Sequence, residues 1–356
     1  MKNHELYAEI LACIQSETGL NNEQFNNLAL KVFEYQYKNN SVYNKICQNR
    51  PKPKTWQEIP CLTTDLFKTQ KLFCQTDQHI AKVFYSSGTT KNQQSKHYLS
   101  ELELNLYENS LWATFCGAFK LKQQNFKYLV LSPEPKQAPN SSLVYMFETV
   151  RQKLKAKQNC YFIKDNHLQV EELISEIQNS NLPILLAGTA FAFVHFIDEL
   201  KSSLPLPLGS AIMETGGFKG KSREIPKEQF YALLAEKFNL PLQNIVGQYG
   251  MSELGTQYYD FSYALNSPFY RFKKPLPWSR VRIVKPDDLQ EEMPEGEIGL
   301  IRHYDLTNLD SLAFVLSGDL GVKKADNCFE IIGRAKNLSL KGCSLTTDLN
   351  LNLAKN

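Results

Sequence analysis

Lys82-Val83-Phe84-Tyr85-Ser86-Ser87-Gly88-Thr89-Thr90 runs from an apolar strand into a loop of hydroxyl residues and glycine. It also opens the pattern that decides the fold. From about residue 81, short apolar runs (Val83–Tyr85, Tyr128–Leu131, Tyr161–Ile163, Ile184–Ala187, Ala211–Met213, Ile245–Gln248) alternate with helical segments. Those helices are expected near 100–118, 141–155, 168–179, 189–202 and 226–238. Such alternation predicts βαβ units, so the chain reads as α/β, with mostly parallel sheets covered by helices. Upstream, Ile10, Ile14, Leu28, Val32 and Tyr35 recur at helical spacing, which predicts helices over 4–16 and 21–40 with Asn21 capping the second. Pro51, Pro53 and Pro60 then mark an irregular lead-in. Downstream, 256–332 reads as strand and turn, with Arg280–Val284, Gly299–His303 and Phe329–Ile332 as strands. The expected division is a helical lead-in over 1–80, an α/β domain over 81–332 that turns strand-rich from about 256, and a tail over 333–356. The tail is too short to be expected to form a further domain.

Bulk composition excludes several classes. The 356 residues are 42% hydrophobic and 22% charged, enough for a sizeable core. Net charge is only +3, and the densest basic cluster, Lys219, Lys221 and Arg223, reads as a solvated face, so no nucleic-acid surface is expected. The N-terminus lacks the apolar core of a signal peptide. The most apolar run, Leu182–Ile197, is too short to span a bilayer and carries Pro183, Gly188 and His195. Eight cysteines lie scattered without metal-site spacing, which fits free thiols in a reducing cytoplasm.

Five short motifs carry the chemistry. In Ser86, Ser87, Gly88, Thr89 and Thr90, backbone N–H groups and hydroxyls can approach phosphate oxygens; a polar turn is the plain alternative. Lys91 and Lys96 add charge nearby, and Lys96 is a candidate catalytic residue. Gly216-Gly217-Phe218-Lys219-Gly220-Lys221-Ser222 imitates a Walker loop, but Thr215 stands where its first Gly belongs and Pro226 falls where its helix should continue. The paired Gly216-Gly217 still lets backbone approach a flat ligand. Gln248-Tyr249-Gly250-Met251-Ser252-Glu253 puts a lone carboxylate at the end of a buried strand, where α/β sheets bind ligands and where Mg²⁺ and substrate phosphates can share one acid. Tyr249 can stack on a purine. Ser252 is no nucleophile elbow, because Leu254 occupies the required Gly position. Ser317-Gly318-Asp319-Leu320-Gly321 offers a carboxylate for a ribose, or an ordinary β-turn. Gly333-Arg334-Ala335-Lys336 adds a cation.

Taken in order, these motifs resemble the core set of the adenylate-forming superfamily over residues 60–345. Within it, the chain is similar to the acyl-protein synthetases of bacterial luminescence (LuxE-like), relatives of phenylacetate–coenzyme A ligases. Ile59-Pro60 to Phe67-Lys68, Gln94-Ser95-Lys96, Gly188-Thr189-Ala190-Phe191 and Gly333 to Leu345 support the likeness. The resemblance implies ATP and Mg²⁺, with Ser86 to Thr90 on the β- and γ-phosphates, Gly216 and Gly217 around adenine, Tyr249 stacked on it and Gly250 among the ATP-binding residues. It further implies Glu253 on Mg²⁺, Asp319 on ribose and Arg334 on ribose or phosphate. Two departures stand out: Lys91-Asn92 follows the hydroxyl loop where the family has Gly, and the superfamily's C-terminal domain with its catalytic lysine is expected to be essentially absent.

In the acyl-protein synthetases a cysteine near the C-terminus accepts the acyl group, and Cys343 in Lys341-Gly342-Cys343-Ser344-Leu345 matches it by position. A neighbouring cation favours the thiolate; without the family, Cys343 reads as a small apolar filler. The implied activity converts a fatty acid to acyl-AMP, captures the acyl group on Cys343 and hands it to a reductase subunit that makes aldehyde. Phe191, Phe193 and Phe196 are expected to line an acyl tunnel, and His195 to sit in the core or line a pocket. An acyl- or aryl-coenzyme A ligase and a non-catalytic nucleotide-binding scaffold remain open as other readings.

Overall fold

The computed structural model describes residues 3–16, 18–86, 94–121, 125–217 and 225–335. The described residues form two compact units, one within 1–110, 252–256 and 274–356, the other within 111–251 and 257–273.

In the first unit, three helices lead: Asn3–Gln15, Asn22–Asn39 and Ser41–Cys47. Asn21 caps the second as expected. Its Oδ1 accepts from the Gln24 N–H at 2.9 Å while Gln24 Oε1 accepts from the Asn21 N–H at 3.0 Å, a reciprocal box that satisfies two otherwise orphaned donors. Five strands make the unit's sheet. Leu62–Thr63 runs parallel to Phe314–Lys323, whose neighbours Ile298–Asp305 and Phe329–Arg334 are antiparallel, and Ser279–Val284 pairs antiparallel with Ile298–Asp305.

The strand Ile80–Tyr85 is not part of a parallel sheet. It pairs antiparallel with Lys96–Ser100 in a two-stranded sheet, so the strand after the hydroxyl motif returns beside the strand before it. Lys96–Ser100 escaped the sequence reading because its alternation merges into the helix Glu101–Phe119. A second difference falls on Ser317-Gly318-Asp319: the segment lies inside the strand Phe314–Lys323, with a register shift at Leu320/Gly321.

The second unit holds a seven-stranded sheet in the order Tyr258–Tyr259, Ile245–Tyr249, Ala211–Thr215, Ile184–Thr189, Lys127–Pro133, Tyr161–Lys164, His167–Leu168. Its five central strands are parallel and the two edges antiparallel. Leu129, Leu186, Ile212 and Ile245 pack with Leu173, Phe193, Phe196, Leu234 and Phe238 from helices Val170–Gln178, Ala190–Glu199 and Lys227–Phe238. Near-continuous apolar strands are what a parallel sheet buried on both faces requires.

That core corrects two expectations. Phe193 and Phe196 are buried in it and line no tunnel, with only Phe191 of the three part-exposed; His195 is exposed, with its ring 4.6 Å from that of Phe191. No helix among the described residues is long and apolar enough to cross a membrane.

His303, in the first unit's sheet between Val281 and Val315, is buried, and burial pushes its pKa down to about 3. The unfolded chain takes that proton near pH 6.5. The stability tied to a neutral His303 is therefore full above pH 6.5 and is lost as pH falls toward 3. Wild type should lose about 2 kcal/mol more than His303→Leu between pH 7 and pH 5, read from urea unfolding at both.

Candidate functional site

The base of the hydroxyl loop and the Glu253 carboxylate meet in the first unit. The Ser86 N–H donates to the Ser95 carbonyl at 3.1 Å, and the Ser95 N–H returns a bond to Ser86 Oγ at 3.0 Å, closing the hairpin neck. The Ser95 hydroxyl then donates to Glu253 Oε1 at 2.5 Å, and the Ser252 hydroxyl reaches the Tyr85 carbonyl at 3.4 Å. Two motifs lying 158 residues apart are thus joined at one point. Ser87, Gly88, Thr89, Thr90 and Lys91 lie outside the described residues. Lys96 opens the returning strand opposite Tyr85 and is exposed.

Glu253 is 7% exposed. Its carbonyl accepts from Asn308 Nδ2 at 2.7 Å, and its Oε2 accepts no hydrogen bond from a described residue. Among the described residues no three acidic, His or Cys side chains gather to form a complete metal site. A lone carboxylate with one oxygen committed to Ser95 and the other held by no described residue fits Mg²⁺ that takes its remaining ligands from phosphates and water.

The loop 305–313 braces this corner. Asp305 accepts from the Thr256 N–H and hydroxyl at 2.8 and 2.7 Å, and Asn308 holds Glu253 and the Leu312 carbonyl. The lead-in helix Asn22–Asn39 explains how so polar a loop survives burial. Gln36 donates to the carbonyls of Asn308 and Leu309 and accepts from the Ala313 N–H, leaving those backbone groups paired.

Beneath the corner lies His97, fully buried, with Nδ1 2.7 Å from the Ser252 carbonyl and Nε2 2.8 Å from Ser311 Oγ and 3.3 Å from Glu103 Oε1. Burial acts to lower its pKa, but Glu103, the Ser252 carbonyl and Glu253 together raise it above the ordinary histidine value. Burial likewise pushes Glu103 up, against the pull of His97.

Asp319 and Arg334 are cross-strand neighbours in the same sheet, with Arg334 Nε 3.8 Å from Asp319 Oδ1. The arginine side chain is 73% exposed, so the pair contributes little to stability and leaves the guanidinium open to an anion.

The second unit carries the other candidates at the carboxyl ends of adjacent strands. Gly216 and Gly217 follow Ala211–Thr215, and an added Cβ at either would meet nothing within 4 Å, so their backbone faces open space. Gly216 also holds φ +74°, which favours glycine. Thr215 donates to Gln248 Oε1, and Gln248 donates onward to Gln257 Oε1, so a chain of side chains ties the two strand ends together. Tyr249 is part-exposed, its ring 6.2 Å from that of Tyr258; Gly250 lies against Gln257 and Gln248, where a Cβ would clash. Below them Gly247 donates to Asp260 Oδ2 at 2.8 Å and accepts from Lys273, whose pKa burial lowers to about 8.

His97, Glu103, Asn308, Ser311 and Gln257 were not singled out from sequence. The available signal was weak: a histidine beside Tyr98 and Leu99, and a short polar stretch, Thr307-Asn308-Leu309-Asp310-Ser311, between apolar residues. Cys343 lies outside the described residues, as do Lys219, Lys221 and Arg223.

The family model for acyl-protein synthetase, LuxE, matches residues 13–352. The long-chain-fatty-acid–luciferin-component ligase of Aliivibrio fischeri is 24% identical over 341 residues, covering 90% of this chain and 86% of that protein. The protein of the same name from Vibrio harveyi is 23% identical over 335 residues, covering 88% and 85%. Among solved structures, an open conformation of 2-hydroxyisobutyryl-CoA ligase in complex with 2-HIB-AMP and CoA superposes with a TM-score of 0.62 at 13% identity, over 89% of this chain and 71% of that one. A likeness at that identity is one of fold.

Proposed function

The chain belongs to the acyl-protein synthetase (LuxE) family, and from that premise we propose that it activates a fatty acid with ATP and carries the acyl group as a protein thioester. In the first step a carboxylate oxygen of the acid bonds to the α-phosphorus of ATP, the α–β bridging bond breaks, and pyrophosphate leaves. In the second, the Cys343 thiolate attacks the acyl carbonyl carbon, AMP departs with its oxygen, and the thiol proton passes to solvent. A protein partner, a reductase subunit that makes aldehyde, then takes the acyl group, in the cytoplasm. The fatty-acid substrate follows the names of the two luciferin-component ligases.

The observation that carries this reading is the junction of Ser86, Ser95 and Glu253, which ties a phosphate-type loop to a metal-type carboxylate. In this reading Ser86 to Thr90 bind the β- and γ-phosphates. Asp319 takes the ribose hydroxyls, and Arg334 the ribose or α-phosphate. Gly216 and Gly217 border adenine, Tyr249 stacks on it, and Gly250 is a further ATP-binding residue. Glu253 would hold Mg²⁺, which when bound offsets charge on the phosphates. Lys96 is a further cation for that charge.

Support for Cys343 comes also from five of the seven other thiols. Burial pushes Cys13, Cys47, Cys74, Cys160 and Cys328 above the ordinary thiol range, which disfavours the nucleophilic thiolate in each. A coenzyme A ligase is the second reading, favoured by the fold shared with 2-hydroxyisobutyryl-CoA ligase. Acid-dependent exchange of radiolabelled pyrophosphate into ATP tests the first step, and assay for free acyl-CoA separates the two readings. Exchange without acyl-CoA supports the synthetase; acyl-CoA release supports the ligase; absence of exchange removes both.

A further inference from the structure

One strand, Lys96–Ser100, and the residue before it hold the Glu253 corner twice. Ser95 binds one carboxylate oxygen directly, and His97 binds the backbone just ahead of it through the Ser252 carbonyl. A carbonyl can only accept, so His97 Nδ1 bears the proton in that 2.7 Å contact. The ring has no freedom to turn. Ser311 Oγ and Glu103 Oε1 hold its far nitrogen, and the Phe67 ring meets it edge-on at 5.7 Å. Glu103 is itself fixed, accepting from the Asp310 N–H at 3.0 Å and from the Ser311 hydroxyl. The place of the Ser252 carbonyl is therefore set by Glu103 and the buried loop, through one imidazole. That carbonyl belongs to the peptide plane entering Glu253, and the plane's tilt sets the direction in which the Glu253 side chain leaves the backbone.

We infer that His97 is a positioning residue: by pinning the Ser252–Glu253 peptide it aims the Glu253 oxygen that Ser95 does not hold toward a metal–nucleotide ligand. This inference rests on the ATP reading above. A buried imidazole with both nitrogens engaged has a simpler role in packing, and the two roles separate experimentally. Asparagine places an N–H near the position of Nδ1 and keeps the bond to Ser252, whereas glutamine places its amide near Nε2 and loses it.

His97→Asn and His97→Gln are compared with wild type in two measurements. Calorimetry gives the Kd for ATP with Mg²⁺ and with chelator; hydrogen exchange reports the backbone of 250–256 in the ligand-free protein. His97→Gln should weaken Mg²⁺·ATP about tenfold, the scale of one lost hydrogen bond, while metal-free ATP changes less than about twofold. Its corner should also exchange faster, and His97→Asn should stay within about threefold of wild type on each measure. Equal binding by both variants and wild type overturns the proposal, as does equal weakening of metal-bound and metal-free ATP. If wild type binds no ATP, the functional reading falls and the metal-aiming role with it. Exchange then decides whether His97 holds the corner, unchanged rates in His97→Gln overturning that as well. Should the His97 variants fail to fold, Ser311→Ala frees the far edge of the ring; a metal-selective loss of about threefold supports the proposal, and no loss overturns it.

Discussion

Glu253→Ala is expected to lower acid-dependent pyrophosphate exchange by about a hundredfold or more, the usual scale for removing one group that offsets charge on a transferring phosphoryl centre. The fold should survive. Glu253 sits in a corner held independently by Asn308 and His97, and the alanine variant loses only the bond from Ser95. That loss costs about 1 kcal/mol, a few degrees of thermal midpoint by circular dichroism. Glu253→Gln sharpens the experiment: its amide oxygen still accepts from Ser95, so the hydrogen bond remains while the charge is gone. Both variants should lose exchange to a similar degree. Near-normal exchange in Glu253→Gln would remove the metal assignment, since a neutral amide is a poor partner for Mg²⁺.

Cys343→Ser is expected to divide the reaction in two. Exchange and acyl-AMP formation should stay within about twofold of wild type, because the thiol enters only after pyrophosphate has left. Hydroxylamine-sensitive labelling by radioactive fatty acid should disappear. A serine hydroxyl lacks the ready ionisation of a thiol, and any oxygen ester formed would resist neutral hydroxylamine. Labelling at wild-type level in the variant would move the acyl group to another residue.

The parallel sheet of the second unit was legible because its strands are apolar along their whole length and its helices carry a clear 3.6-residue period. Ile184–Thr189 and Ala190–Glu199 stand where Ile184–Ala187 and 189–202 were expected. Strands in the first unit were harder, since their cause lies in distant partners. Phe314–Lys323 contains Ser317-Gly318-Asp319, which reads locally as a turn, yet the strand continues through it: Leu316 and Leu320 pair with Arg302 and Leu300 across a register irregularity, and Asp319 pairs with Arg334. The hairpin strand Lys96–Ser100 was hidden for a different reason, its run straight into the helix Glu101–Phe119.

Within the candidate site, Ser86, Glu253, Asp319 and Arg334 were legible because motifs name them, and the register that faces Asp319 with Arg334 brings two motifs 15 residues apart side by side. The supporting residues were not. His97, Glu103, Asn308 and Ser311 owe their roles to burial beside one another, across separations of up to 214 residues for His97 and Ser311, and no local pattern encodes such a meeting. The Phe193 and Phe196 expectation failed for a related reason. An aromatic on an apolar helix fills a core unless something else fills it first, and here the sheet and the helix Lys227–Phe238 surround both rings.

The most direct test is the intact mass of the protein after incubation with ATP, Mg²⁺ and a long-chain fatty acid. The predicted result is a gain equal to the mass of the fatty acid less one water, that hydroxylamine removes and that maps to the peptide containing Cys343. ATP consumption without any protein adduct, with free acyl-CoA appearing once coenzyme A is added, would contradict it.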